Sequence, residues 1–272
     1  MANKTLRAPA GESNKKKAKT EAVEELKNRL GEKLSETIKV EEGIPKQVAA
    51  IIDKNNHDLS IAPYKYQCAT QRPDRSAIKS TDPFKIQVGI GGEIPRWTNS
   101  PPKVKFAAYS GGYPSLDHAK YAAFKLNEAA TEWNNHLRGL IEFEWVTELE
   151  DAAFVLAYGG DGGDTLASAF FPNEDDLSVL FVYQKAFESG VMNHMSNIFL
   201  HELGHVLGLR HEFAPETEGE SVQVGPRDSL SVMSYNFPPI IQQSDVVSTK
   251  TFYEFGGDHL NGVPMKYCTP NN

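Results

Sequence analysis

The chain has 272 residues, 40% of them hydrophobic, which is enough for one substantial core and a smaller appendage. No apolar run is long enough to span a bilayer, so the composition argues against a membrane-spanning protein. Residues 1–80 carry 16 Lys/Arg against 11 Asp/Glu (net +5), and residues 81–272 carry 12 against 25 (net −13), which sum to −8. The acidic part is unsuited to binding nucleic acid.

Charge and composition divide the chain into a basic N-terminal segment, 1–80, and an acidic domain, 81–272. The first twenty residues are lysine-rich and lack the apolar stretch of a secretory signal. The sequence therefore predicts either a cytoplasmic protein or export by another route. The two cysteines, Cys68 and Cys268, are too few for a disulfide framework and suit a reducing or an oxidising compartment.

The N-terminal segment begins with a polar, lysine-rich stretch, 1–19, that is predicted to be disordered. Apolar residues at spacings of three and four then predict a helix from Thr20 to about Lys39, and Pro45 opens a second short helix. We interpret 1–80 as a helical pro-segment that covers a functional cleft, with an accessory domain or an oligomerisation hairpin as alternatives. The apolar stripe consists of Val23, Leu26, Leu30, Leu34 and Ile38.

Residues 81–103 are rich in glycine and proline and predict an irregular linker. Ser115 is the predicted N-cap of a long helix with a wide apolar face. Strands on both sides of that helix predict a mixed α/β sheet. The five predicted strands are Lys103–Tyr109, Leu140–Val146, Ala152–Tyr158, Leu166–Phe171 and Leu177–Tyr183.

The strand Leu166–Phe171 is predicted to lie at an edge of the sheet. Unpaired backbone groups at such an edge can bind an extended polypeptide as an added strand. The preceding segment, 159–164, is acidic and glycine-rich. Because Ca²⁺ prefers oxygen ligands, a structural calcium ion is one possible occupant of this segment.

The strongest functional signal lies between Asn197 and Glu212. His201 and His205 are four residues apart, so on a helix both imidazoles lie on one face and can bind one metal ion. Glu202 follows the first histidine, where its carboxylate could hold a water molecule at the metal. This spacing is typical of a zinc hydrolase.

Gly208 allows the helix to end and the chain to turn back, which brings His211 to the metal as a third ligand. Three histidines and one open position describe a hydrolytic zinc site, whereas a structural zinc has four closed ligands. The alternative is a buried helix whose histidines are merely hydrogen-bonded. Burying three imidazoles and a carboxylate without a partner is costly, which favours zinc.

The pattern from His201 to His211 resembles the extended zinc signature of the metzincin metallopeptidases. Residues 231–235, Ser-Val-Met-Ser-Tyr, are similar to the Met-turn of that clan. The resemblance implies that Met233 lies beneath the zinc as an apolar floor and that Tyr235 approaches the metal or the reacting carbonyl. A purely structural role is the alternative for this tyrosine.

Subfamily features are mixed. Glu212 after the third histidine resembles astacins, and the Met-Ser-Tyr arrangement resembles serralysins. Pro-Arg-Trp at 95–97 and the segment 166–172 resemble the matrixin catalytic domain. The resemblance implies an α/β (α+β) fold with a twisted mixed five-stranded sheet, a long backing helix, a zinc-binding active-site helix and a small C-terminal subdomain.

Cys68 is a candidate latch, because a thiolate bound at the open zinc position would displace the reactive water. The surrounding sequence loosely resembles the matrixin cysteine switch, although Arg72 follows the cysteine. Asp74 is a second candidate, since some metzincin pro-segments use aspartate. A disulfide between Cys68 and Cys268, or a buried inert thiol, are the alternatives.

These features predict a zinc-dependent endopeptidase that acts on extended polypeptides. Glu202 would be the general base, and the N-terminal segment would hold the enzyme latent. The main alternative is a catalytically silent, metzincin-fold module that binds zinc and a partner. A zinc hydrolase acting on other bonds is a third possibility.

Overall fold

The computed structural model describes residues 10–31, 38, 68–70, 86–98, 101–218 and 221–272. Its centre is a five-stranded sheet in the order β4-β3-β5-β7-β6. Four neighbouring strands are parallel, and only the edge strand β6 is antiparallel to its neighbour β7. The strands are β3 (Lys103–Ala108), β4 (Glu142–Trp145), β5 (Phe154–Tyr158), β6 (Ala167–Ser168) and β7 (Ser178–Val182).

Two helices, α2 (Leu116–His136) and α3 (Met195–Val206), pack against each other and contribute to the main hydrophobic core. Ser115 caps α2, as predicted, by accepting a hydrogen bond from the His118 N–H at 3.3 Å. The buried Trp133 of α2 donates its indole N–H to the Leu200 carbonyl of α3 at 2.9 Å. This contact fixes the position of the helix that carries the histidine pair.

A separate apolar cluster lies beneath the N-terminal helix, α1 (Ala10–Leu30). Val23 and Leu26 are buried there against strands β3 and β5 and the 3₁₀ turn Leu149–Asp151. The predicted start at Thr20 and end near Lys39 were wrong: the helix begins ten residues earlier and ends before Gly31, whose φ is +80°. Ile38 is buried in the main core, and the second helix predicted after Pro45 falls outside the described residues.

The segment 81–103, predicted to be an irregular linker, contains two strands, β1 (Ile86–Val88) and β2 (Ile94–Trp97). β1 lies between β8 (Leu209–Arg210) and β9 (Val222–Val224) in a small antiparallel sheet. β2 pairs with β11 (Val263–Cys268), which also pairs with β10 (His259–Leu260). Both pairings join distant parts of the chain, which is why the local sequence does not reveal them.

The remaining helices follow α3 in the chain. They are α4 (Ala214–Thr217) and α5 (Gln243–Glu254). Gln242 is the N-cap of α5 and forms a capping box with Asp245. Among the described residues, no helix is long and apolar enough to cross a membrane. The predicted architecture, a mixed five-stranded sheet with a long helix packed against the helix that carries His201 and His205, is confirmed.

Candidate active site

Helix α3 is buried nearly all round, and His201, Glu202 and His205 lie on it with essentially no exposed surface. The chain leaves the helix through Gly208, two residues beyond its end, whose φ of +95° suits glycine. A Cβ at this position would lie 2.7 Å from the Pro95 carbonyl oxygen. The turn therefore requires glycine, and it directs the chain back so that His211 meets the other two histidines.

The three imidazoles converge through their Nε2 atoms. His211 Nε2 lies 3.2 Å from His205 Nε2 and 3.2 Å from His201 Nε2. Each Nδ1 faces an acceptor: the Val232 carbonyl for His201 at 2.7 Å, the Leu209 carbonyl for His205 at 2.8 Å and a carboxylate oxygen for His211. The protons therefore belong on Nδ1, and the three Nε2 lone pairs point at one another.

This arrangement fits zinc. Two nitrogens each about 2.0–2.1 Å from one tetrahedral ion lie about 3.3 Å apart, which is close to the separation seen here. Three lone pairs directed at one point repel each other unless a cation lies between them. Burial, and secondarily the neighbouring imidazoles, lower the pKa of His201 and His205 well below the usual value, so both rings are neutral, as metal ligands must be.

Cys68 joins this cluster as a fourth potential ligand. Its Sγ lies 3.5 Å from His205 Nε2 and 3.5 Å from a carboxylate oxygen of Glu202. Burial, followed by the charge of Glu202, raises the pKa of the Cys68 thiol well above its usual value. A thiolate at this position therefore requires a cation beside it, which a metal ion held by the histidine cluster would provide.

Thr70 is the second residue of the segment 68–70, after Cys68, that contacts the candidate site. Its hydroxyl donates to Glu202 Oε2 at 2.9 Å and accepts the Ala169 N–H at 2.7 Å. Cys68 forms a parallel bridge with Ala167 of the edge strand β6, and the Ala69 N–H donates to the Ala167 carbonyl at 3.4 Å. The segment 68–70 thus occupies the edge of the sheet beside the histidines.

Met233 is fully buried beneath α3, where a Cβ added to Gly204 would lie 2.3 Å from its sulfur. The turn that carries Met233 is held by Asp245 of α5, which accepts hydrogen bonds from the Ser231 hydroxyl at 2.6 Å and the Val232 N–H at 2.9 Å. Because the Val232 carbonyl binds His201, this turn also orients the first histidine. The turn at 231–235 is therefore in direct contact with the histidine motif on α3 and supports it.

Tyr235 packs over the third histidine, with 5.0 Å between its ring and that of His211. Phe213 contacts the same tyrosine at 4.5 Å. Burial raises the Tyr235 pKa, and a hydrogen bond with the Cys68 backbone opposes this rise. The phenol therefore faces the segment 68–70.

Among the other predictions, the disulfide between Cys68 and Cys268 was wrong, because both are free and Cys268 donates to the Pro172 carbonyl at 3.4 Å. Asp74 lies outside the described residues. In the described parts of the chain, the Cys68 cluster is the only group of three or more His, Cys, Asp or Glu side chains placed to hold a metal. The structure therefore gives no support to calcium at 159–164.

Three residues of the site were missed by the sequence analysis. They are Thr70, Asp245 and Glu218, whose carboxylate accepts the hydrogen bond from His211 Nδ1 at 2.5 Å. Each is a common polar residue outside any motif, and its contact joins segments that meet only in the folded chain. Only the helix-capping position of Asp245 carried a local signal.

Comparison with known proteins points to the same chemistry. The family model described as metallo-peptidase family M12B reprolysin-like matches residues 175–263, which include all three histidines and the Met233 turn. No curated protein matches the chain. A solved structure of myroilysin is similar at a TM-score of 0.45 with 16% identity, over 59% of this chain and 96% of that one. The family match and the buried His/Cys cluster together support a zinc-dependent metallopeptidase.

Proposed function

We propose that the protein is a zinc endopeptidase that cleaves extended polypeptides, with Glu202 as general base, and that its N-terminal segment holds it latent through Cys68. The observation that carries this proposal is the position of the Cys68 sulfur, 3.5 Å from both His205 Nε2 and the Glu202 carboxylate. The sulfur therefore lies between a proposed zinc ligand and the proposed general base, at the position where the attacking water would bind.

His201, His205 and His211 would hold the zinc ion. When bound, zinc acts as a Lewis acid and lowers the pKa of water to about 7. The Glu202 carboxylate would accept the proton of the attacking water and pass it to the departing amine. Tyr235 would donate a hydrogen bond to the carbonyl oxygen as negative charge develops there.

A polypeptide substrate is supported by the edge strand. The backbone of the segment 68–70 already pairs with β6, so an extended chain fits beside the histidines. Main-chain pairing of this kind places few demands on the substrate's side chains. The resulting class of substrate is an unfolded or extended polypeptide.

The first prediction concerns the base. We expect Glu202→Gln to keep zinc and the fold but to lose at least about 100-fold in cleavage of an unfolded protein substrate, since a general base contributes about 10²–10⁴-fold. Activity is measured in a Cys68→Ala background, so that the thiol does not mask the effect. Glu132→Gln, on helix α2, is the matched control for this loss of one carboxylate. Equal cleavage by the Glu202→Gln chain would rule out the proposed base.

The second prediction concerns latency. Cys68→Ala should raise cleavage by the full-length chain, because the thiol no longer occupies the position of the water. Cys268→Ala, which removes a buried thiol elsewhere, should leave the activity unchanged. Thr70→Val tests the second contact, since it frees the Glu202 carboxylate from the hydroxyl. A further gain in the Cys68→Ala, Thr70→Val chain is expected.

No gain from either substitution would mean that something other than segment 68–70 restrains the enzyme. Zinc binding without cleavage by all of these chains would instead favour the silent zinc-binding module. The observation that favours this second candidate is the position of Cys68, which lies with the three histidines as a fourth potential zinc ligand.

A further inference from the structure

His211 is held differently from the other two candidate ligands. His201 and His205 lie on helix α3 and donate to backbone carbonyls, whereas His211 lies beyond the helix and donates its Nδ1–H to the Glu218 carboxylate at 2.5 Å. A residue outside a regular element has less backbone restraint. Its ring orientation therefore depends more on a side-chain partner.

Glu218 is itself fixed and buried, with 4% of its side chain exposed. The Arg210 guanidinium donates to the Glu218 carbonyl at 2.9 Å and lies 3.6 Å from its second carboxylate oxygen. Arg210 is also buried and donates to the Gly89 carbonyl at 2.9 Å. A relay of contacts therefore runs from Gly89 through Arg210 and Glu218 to His211.

A carboxylate acts on a ligating histidine in two ways. It fixes the tautomer and the orientation of the ring, and it makes the other ring nitrogen a stronger donor to the metal. A backbone carbonyl also fixes the tautomer and the orientation of the ring, but it strengthens the metal-facing nitrogen less because it carries no net charge. The third ligand thus has the strongest electrostatic support of the three.

We propose that Glu218 is a positioning residue for the third metal ligand, held in place by Arg210. This inference rests on the proposed zinc site and deepens it. Through Arg210, the proposal also connects the ligand to Gly89, directly after strand β1, where the chain enters the catalytic domain. The orientation of His211 would then depend on the docking of β1.

The test measures zinc affinity of the full-length chain by competition with a chromophoric chelator, and geometry by the visible spectrum of the Co²⁺-loaded chain. Glu218→Ala should weaken zinc binding by about 10–100-fold, the range typical of such outer partners. Glu218→Gln keeps a hydrogen-bond acceptor without the negative charge, so its zinc affinity should lie between those of the wild-type and Glu218→Ala chains. The control is Glu216→Gln, a half-exposed carboxylate on the adjacent helix α4 that pairs with Arg227.

Wild-type zinc affinity and an unchanged Co²⁺ spectrum in folded Glu218→Gln and Glu218→Ala chains would overturn the proposal. A purely structural role would lower thermal stability while leaving zinc affinity unchanged, and that result would also count against it. If Glu218→Ala does not fold, the Glu218→Gln chain decides the question. Failure of the wild-type chain to bind zinc would reject the metal site itself, which distinguishes the two failures.

Discussion

Lys19 shows how a single side chain joins the N-terminal helix to the rest of the fold. Its ammonium group donates to the carbonyls of Asp176 and Asn271, each at 2.5 Å, and only 5% of the residue is exposed. Burial lowers the Lys19 pKa from 10.5 to about 8, although the charges of Asp176 and Asp151 oppose the shift. The charged form is therefore less favourable in the folded chain than in the unfolded one.

The sign of the resulting pH effect follows from proton binding. Between about pH 8 and 10.5 the unfolded chain binds more protons at Lys19 than the folded chain, so stability rises with pH across this window. The gain is at most on the order of 3 kcal/mol, at about 1.4 kcal/mol per pKa unit.

The measurement is urea unfolding of the wild-type and Lys19→Met chains from pH 7 to 10.5. The stability of the wild type relative to the variant should increase as the pH rises. Lys17→Met, at an exposed position of the same helix, should show no such trend. A constant difference between wild type and Lys19→Met would show that the ammonium is not desolvated as the structure implies.

Among single residues of the candidate site, the sequence predicted those whose positions depend on local spacing. His201 and His205 share a helix face, and Gly208 ends that helix with a positive φ, so their geometry follows from helix periodicity. Thr70 and Glu218 could not be found in this way. The hydrogen bond from Thr70 to Glu202 spans 132 positions, and no local pattern encodes it.

The same distinction holds for whole elements. The strands of the central sheet were predicted because each is an apolar run between turn residues, although the edge strand β6 keeps only two residues of its predicted six. Strands β1 and β2 were missed because their partners β9 and β11 lie far along the chain. Their glycine- and proline-rich surroundings also indicate a loop.

Helix α1 illustrates the limits of periodicity. The apolar stripe continues past Leu30 to Leu34 and Ile38, which favoured a longer helix. Gly31 ends the helix instead, and the Tyr109 hydroxyl donates to its carbonyl at 3.1 Å. One backbone position with a tertiary partner therefore overrides the pattern of side chains.

The N-terminal segment contacts the rest of the molecule at two separate places, the central sheet and the candidate active site. Helix α1 covers apolar residues of the central sheet, whereas Cys68 and Thr70 lie against the candidate active site. Deleting residues 1–80 would remove both at once. Such a chain would be destabilised at the same time as it loses the proposed inhibitory contact, so its activity would not report on latency alone.

One deletion and one substitution separate these roles. Removing residues 1–31 takes away α1 but keeps Cys68, so the chain should stay latent while losing stability. The loss should be a few kcal/mol, because burying each large apolar side chain contributes about 1.5–3 kcal/mol before the entropy of ordering the helix is subtracted. For a chain of this size, that corresponds to a Tm lower by on the order of 5–10 °C.

Adding Cys68→Ala to the 1–31 deletion should then restore cleavage without a further fall in Tm. The measurements are calorimetry and cleavage of an unfolded protein well below the lower Tm. If the 1–31 deletion alone were fully active, α1 would itself be needed for latency, and the thiol would be secondary. An unchanged Tm would show instead that α1 adds little to the stability of the fold.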